Sequence, residues 1–234
     1  MKIKYYLGMA LVALALLVTT ANAALFNISV DTWLNDPTLH GGQTTVSLDN
    51  GGWRGVYAGE FEANFIGAAY DSYPQSWKTY CTDLNNWLGS GYFQPKDWTD
   101  ALAAQHSPTW TGSPLDAQGV YLKYRDTIST GAEAVGLQLA VWNLLYDTDL
   151  SVSGGSFRAK DGTVGSIDWA NTYLADFNRS TEPGTWWEPT WQDGSVRKAQ
   201  GLLGNTVSVP DGGGTLASML IGLGTLIGWR RKLA

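Results

Sequence analysis

Leu137-Gln138-Leu139-Ala140-Val141-Trp142 is an apolar run with one carboxamide inside it, and reading it decides the fold. Ala134, Val135, Gln138, Val141, Trp142 and Leu145 share a face at helical spacing. Leu137, Ala140 and Leu144 make the opposite side apolar too, so the helix must be buried on most sides. Ser129 or Thr130 starts it, and Glu133 lies in the first turn, where the helix dipole favours an acid. It runs to about Tyr146. A helix this apolar needs other elements wrapped around it.

Those elements are legible on both sides. Phe26–Val30 and Thr44–Leu48 alternate as strands, and Asp49-Asn50-Gly51-Gly52 turns the chain into a partner strand spanning Val56–Phe65. Lys78–Leu84 reads as another short strand, with Cys81 on it or at its end. Ser90–Ser113 reads as loop, with a short helix near Trp98–Gln105. Ser113 caps a helix over Asp116–Ile128, and Pro114 suits its first position. After the central helix, Asp147–Asp161 is loop and strand, and Ile167–Asn178 a third helix. Thr185–Trp191 and Val196–Val209 are late strands. Strands, then helices, then strands describe an α+β domain, expected as a β-rich sandwich or barrel-like core with an inserted helical subdomain.

The ends read as addresses. Lys2 and Lys4, the apolar Leu7–Val18 and Ala21-Asn22-Ala23 form the three regions of a secretory signal, with the mature chain expected from Ala24. At the other end, Val209-Pro210-Asp211-Gly212-Gly213 precedes an apolar run from Thr215 to Trp229, then Arg230-Arg231-Lys232. At about 1.5 Å per residue such a helix is short for a hydrocarbon core of ~30 Å, a mismatch that bilayer thinning or snorkelling absorbs. The basic cluster should stay cytoplasmic, leaving the domain outside. This order of motif, helix and basic end resembles the PEP-CTERM class of bacterial sorting tails, most closely its VPDSG-CTERM variant, although Gly212 stands where that variant has Ser. The resemblance implies an exosortase-type membrane transpeptidase as processing partner. Membrane anchoring through the tail helix would then give way to a cell-surface or extracellular location. The expected organisation is a leader over 1–23, an extracellular domain over 24–207 and a sorting tail over 208–234.

Composition narrows the function. The formal charge is −6, and without the basic residues of the two ends and Asp211 it falls near −10. Such a surface repels nucleic acid and other polyanions. Charged residues make up only 15% of the chain, while tryptophans number 12. His40 and His106, the only histidines, lack a motif that would serve a cysteine hydrolase, and one Cys with two scattered His lacks metal-ligand spacing. Neither a metal nor another cofactor is expected. Aspartates are scattered through the chain, but no EF-hand loop is present.

Cys81 is the sole cysteine, so no disulfide can form within one chain. An odd cysteine in an exported protein is either a spare buried thiol or a reactive group. Gln138 sits in an apolar stripe where its carboxamide must meet a partner. Attack of the thiol on that carboxamide would expel ammonia and leave a thioester, given a shielded site. Tyr80-Cys81 and Gln138-Leu139-Ala140-Val141-Trp142 resemble the two motifs of bacterial thioester domains, an aromatic-Cys pair and a later Thr-Gln-x-Ala-Ile/Val-Trp helix, with Leu137 in place of the Thr. The resemblance implies a Cys81–Gln138 cross-link with Tyr80, Ala140 and Trp142 packed around it. It implies an adhesin that captures a nucleophile of an extracellular polysaccharide or surface protein once, without enzymatic turnover. The alternative is a non-covalent polysaccharide- or matrix-binding protein. For that reading Trp186, Trp187 and Trp191 offer candidate stacking faces.

Overall fold

The computed structural model describes residues 25–204, except 33, 35, 37, 67–75, 85, 87, 99–109, 182–183 and 191–199. The leader, the sorting tail, His106, Trp191 and most of the expected Trp98–Gln105 helix therefore lie outside the described residues. Among the described residues no helix is long and apolar enough to cross a membrane. Residues 24–207 cluster as one unit.

Nine strands and three helices are described, and the class is α+β. The strands are β1 (Phe26–Thr32), β2 (Gly41–Leu48), β3 (Arg54–Gly59), β4 (Phe61–Phe65), β5 (Ser76–Thr79), β6 (Gly91–Trp98), β7 (Phe157–Lys160), β8 (Gly184–Thr190) and β9 (Leu202–Gly204). The helices are α1 (Pro114–Tyr124), α2 (Gly131–Tyr146) and α3 (Ser166–Ala175). One sheet has six strands in the order β5-β4-β1-β6-β8-β9, and the other three in the order β3-β2-β7. All pairings are antiparallel.

The six-stranded sheet curls until its two edges meet. Cys81, just past the end of β5, forms an isolated bridge to Leu202 at the start of β9. The Leu203 amide donates to the Tyr80 carbonyl at 3.1 Å, and the Thr82 amide to the Gly201 carbonyl at 3.1 Å. The Thr79 hydroxyl donates to the Leu203 carbonyl across the same seam. Edge groups that would otherwise lie unpaired are thereby satisfied, which is what closing a sheet accomplishes. Phe26, Phe65, Trp77 and Trp187 pack together with ring centroids 5.0–5.6 Å apart.

The central helix forms as its signals predict. Thr130 is the N-cap, and its hydroxyl accepts from the Glu133 amide while the Glu133 carboxylate accepts from the Thr130 amide. This reciprocal pair satisfies two amides that the first turn leaves without partners. From Ala134 to Tyr146 every residue is buried. α2 packs against α1, α3 and the three-stranded sheet. Gly136 lets α3 approach closely, since a Cβ there would press on Trp169 and Ala170.

Two expectations need correction. Val56–Phe65 is not one strand. The chain leaves the small sheet at Gly59, whose φ of +142° suits glycine, and enters the large sheet at Phe61. A Cβ at Gly59 would collide with the Gly41 main chain. The Ser90–Ser113 loop contains β6, which pairs with both β1 and β8. Its Gln94-Pro95-Lys96 centre hides the alternation that marks a strand. Turn chemistry fared better: Asp49 and Asn50 take φ of 51° and 57° between β2 and β3.

Candidate functional site at the sheet seam

Cys81 and Gln138 meet at the seam. The Cys81 amide donates to Gln138 Oε1 at 2.9 Å, and Gln138 Nε2 donates to the Cys81 carbonyl at 2.8 Å. A strand residue directs its N–H and C=O to one side, and its neighbours direct theirs to the other. Tyr80 and Thr82 accordingly bond to β9 and its approach, and Cys81 turns both main-chain groups towards α2. The Gln138 side chain thus completes the pairing that a further strand would supply. Cys81 is 2% exposed and Gln138 fully buried, so the contact is closed to water.

Burial pushes the Cys81 thiol well above the ordinary range, and the charge of Asp83 adds to the effect. Both effects favour the protonated thiol over the thiolate. His40, the one histidine among the described residues, is engaged elsewhere. Its Nδ1 lies 2.9 Å from Glu60 Oε2, and Lys78 Nζ reaches Glu60 Oε1 at 2.8 Å. Glu60 itself is completely buried at the switch between sheets.

Among the residues expected around the pair, Tyr80, Ala140 and Trp142 are all buried. Trp142 follows Gln138 by one turn on the same face. Ala140 lies about 200° round the helix from Gln138, on the side of Gly136. The Tyr80 hydroxyl and the Trp142 Nε1 are buried with no hydrogen-bond partner among the described residues. Sequence reasoning missed the rest of the frame. The Tyr146 hydroxyl accepts from the Leu84 amide at 3.3 Å, the Trp186 indole donates to Thr82 Oγ1 at 3.3 Å, and the Gln200 amide donates to the Asp83 carbonyl. A Cβ on Gly201 would strike the Trp186 indole and Thr82. These residues are far apart in sequence, and no local pattern joins them.

No protein-family model matches this chain, and no curated protein matches it as a relative. The site is therefore read from its own residues.

The tryptophans expected as stacking faces require a correction. Trp186 is 3% exposed and Trp187 fully buried. Trp187 joins the cluster of Phe26, Phe65 and Trp77, while Trp186 packs edge-on to Trp110 at 5.6 Å. Adjacent strand residues point to opposite faces, and here both faces of β8 are covered. Neither ring is available to a sugar. Exposed indoles occur instead at Trp53 and Trp169.

Proposed function

We propose that this chain is an exported surface or extracellular-matrix protein that attaches to its partner through a thioester between Cys81 and Gln138. The observation that carries this reading is the double hydrogen bond of the Gln138 carboxamide to Cys81. It registers the carboxamide beside the residue that bears the sulfur and removes the need for a chance encounter. The Cys81 sulfur attacks the Gln138 carbonyl carbon, the C–N bond breaks, and the NH2 group takes the thiol proton and leaves as ammonia. The Cys81 amide, already on Oε1, stabilises negative charge that develops there. An amine of the partner then attacks the thioester, forms an amide with Gln138 and returns the Cys81 thiol. Exclusion of water protects the bond from hydrolysis until the partner opens the seam.

The domain is read as a barrel-like β core with an inserted helical subdomain, carried between a cleaved leader and a PEP-CTERM-type tail that an exosortase processes. Intact-mass measurement of the mature protein tests the central claim. The expected result is a mass short by one ammonia, restored to full mass in Cys81→Ala and raised by methylamine addition in the wild type. A full-mass protein whose thiol alkylates on unfolding would sink it. Mass mapping of the C-terminus of the surface form tests the tail, with cleavage expected near Val209–Gly213.

A further inference from the structure

We propose that the outward face of the three-stranded sheet binds an acidic polysaccharide, at a site separate from Cys81 and Gln138. Strand alternation separates the two faces of this sheet. Val46, Ala58, Phe157 and Ala159 are buried on the inner face. The residues between them place Gln43, Thr45, Tyr57, Arg158 and Lys160 outward, with Gln43 opposite Tyr57 and Thr45 between Gly55 and Lys160. Trp53, which immediately precedes β3, joins this face, because Lys160 Nζ lies 3.9 Å and the Arg158 guanidinium 5.5 Å from its ring centroid.

Two exposed aromatics thus lie on this face. Tyr57 is 53% and Trp53 41% exposed. Their Cα atoms are four residue steps apart, about 13 Å in extended backbone. Gly55 lies midway, and a Cβ placed there would meet nothing within 4 Å. A groove of about 360 Å³ opens here, lined by Gln43, Thr45, Gly55 and Tyr57 among others. The Gln43 amide donates to the Tyr57 hydroxyl at 3.1 Å, which holds the tyrosine at the groove wall. An open floor at Gly55 beside the exposed Tyr57 ring, with hydroxyl and amide groups alongside and Trp53 on the same face, suits a chain of sugar rings. Their C–H faces stack on the aromatics while their hydroxyls meet the polar groups.

Charge selects the class of glycan. The chain carries −6 overall, yet Lys160 and Arg158 stand together on this face without a carboxylate partner among the described residues. Cations without carboxylate partners beside a sugar groove favour a polymer that carries acid groups, such as one built from uronic acids.

Binding of the full chain to polygalacturonate, compared with the same polymer after carboxyl reduction, is the test. The expected result is binding to the acidic polymer, weakened by added salt, and roughly tenfold weaker binding to the neutral one. Tyr57→Ala and Lys160→Ala should each weaken the acidic interaction by roughly tenfold. Gly55→Leu, which fills open space and should leave the melting temperature unchanged, should abolish it. Cys81→Ala should bind as the wild type does, which separates this site from the thioester. No binding to polygalacturonate, equal binding to both polymers, or a Gly55→Leu protein that binds normally would each overturn the proposal.

Discussion

Cys81 faces Leu202 across the seam of the large sheet with one side of its backbone and Gln138 of the central helix with the other. One residue therefore closes the sheet and docks the helix. Loss of the Gln138 carboxamide should be felt in the packing of both layers, whatever chemistry the sulfur performs.

Gln138→Leu tests that coupling. It leaves the Cys81 amide and carbonyl buried without partners, at about 1–3 kcal/mol for each group. The expected loss is about 2–5 kcal/mol in chemical denaturation. Cys81→Ala keeps both hydrogen bonds and, where no cross-link has formed, should cost less. A Gln138→Leu protein as stable as the wild type would show that the pair does not hold the helix to the seam.

Gly59→Ala should destabilise the domain by about 2 kcal/mol or more. The backbone is in a region that L-residues avoid, and the new methyl meets the Gly41 main chain. Gly55→Ala, two turns of the pleat away in open space, is the matched control and should be nearly neutral. Thermal melts of the two variants decide the point.

Acid should loosen the start of the central helix. Burial acts to raise the Glu133 carboxyl, but hydrogen bonds from Ser129 and Thr130 outweigh it and hold the group below the ordinary range. A group depressed on folding stabilises in full above its unfolded pKa, and that contribution disappears as pH falls through the folded value. Glu133→Gln should therefore lower the melting temperature at neutral pH and converge with the wild type in acid. The cap as a whole is worth about 1 kcal/mol. Parallel pH-dependent melts that never converge would count against this assignment.

Trp187→Ala should cost about 3–5 kcal/mol, the usual penalty for removing a fully buried aromatic ring. Any loss of glycan binding in that variant would then accompany loss of folded signal in near-ultraviolet circular dichroism. Tyr57→Ala, exposed on the small sheet, should keep that signal.

Much of the fold was legible in local patterns. The capping signals at Thr130 and Glu133 and the two-sided apolar character of Gly131–Tyr146 identified a buried helix. The turn at Asp49-Asn50 identified a hairpin. Gln138 stood out because a carboxamide inside an apolar stripe needs a partner, and Cys81, the sole cysteine, was the candidate for it. The nature of that contact was not legible: the carboxamide meets the main chain of Cys81, and main-chain groups carry no sequence signature.

What the sequence by itself determined is the set of elements whose periodicity and caps are local, together with the candidate pair. Only the tertiary structure decided that the chain changes sheets at Gly59-Glu60, that Trp186 and Trp187 are both interior, and that Tyr57 lines an open groove. The physical reason is the same in each case. An alternating strand or a pair of indoles has identical local preferences whether one face or both are covered. Burial is set by which distant segment arrives to cover it: Phe26, Phe65 and Trp77 cover Trp187, Trp110 packs on Trp186, and Tyr57 is left exposed.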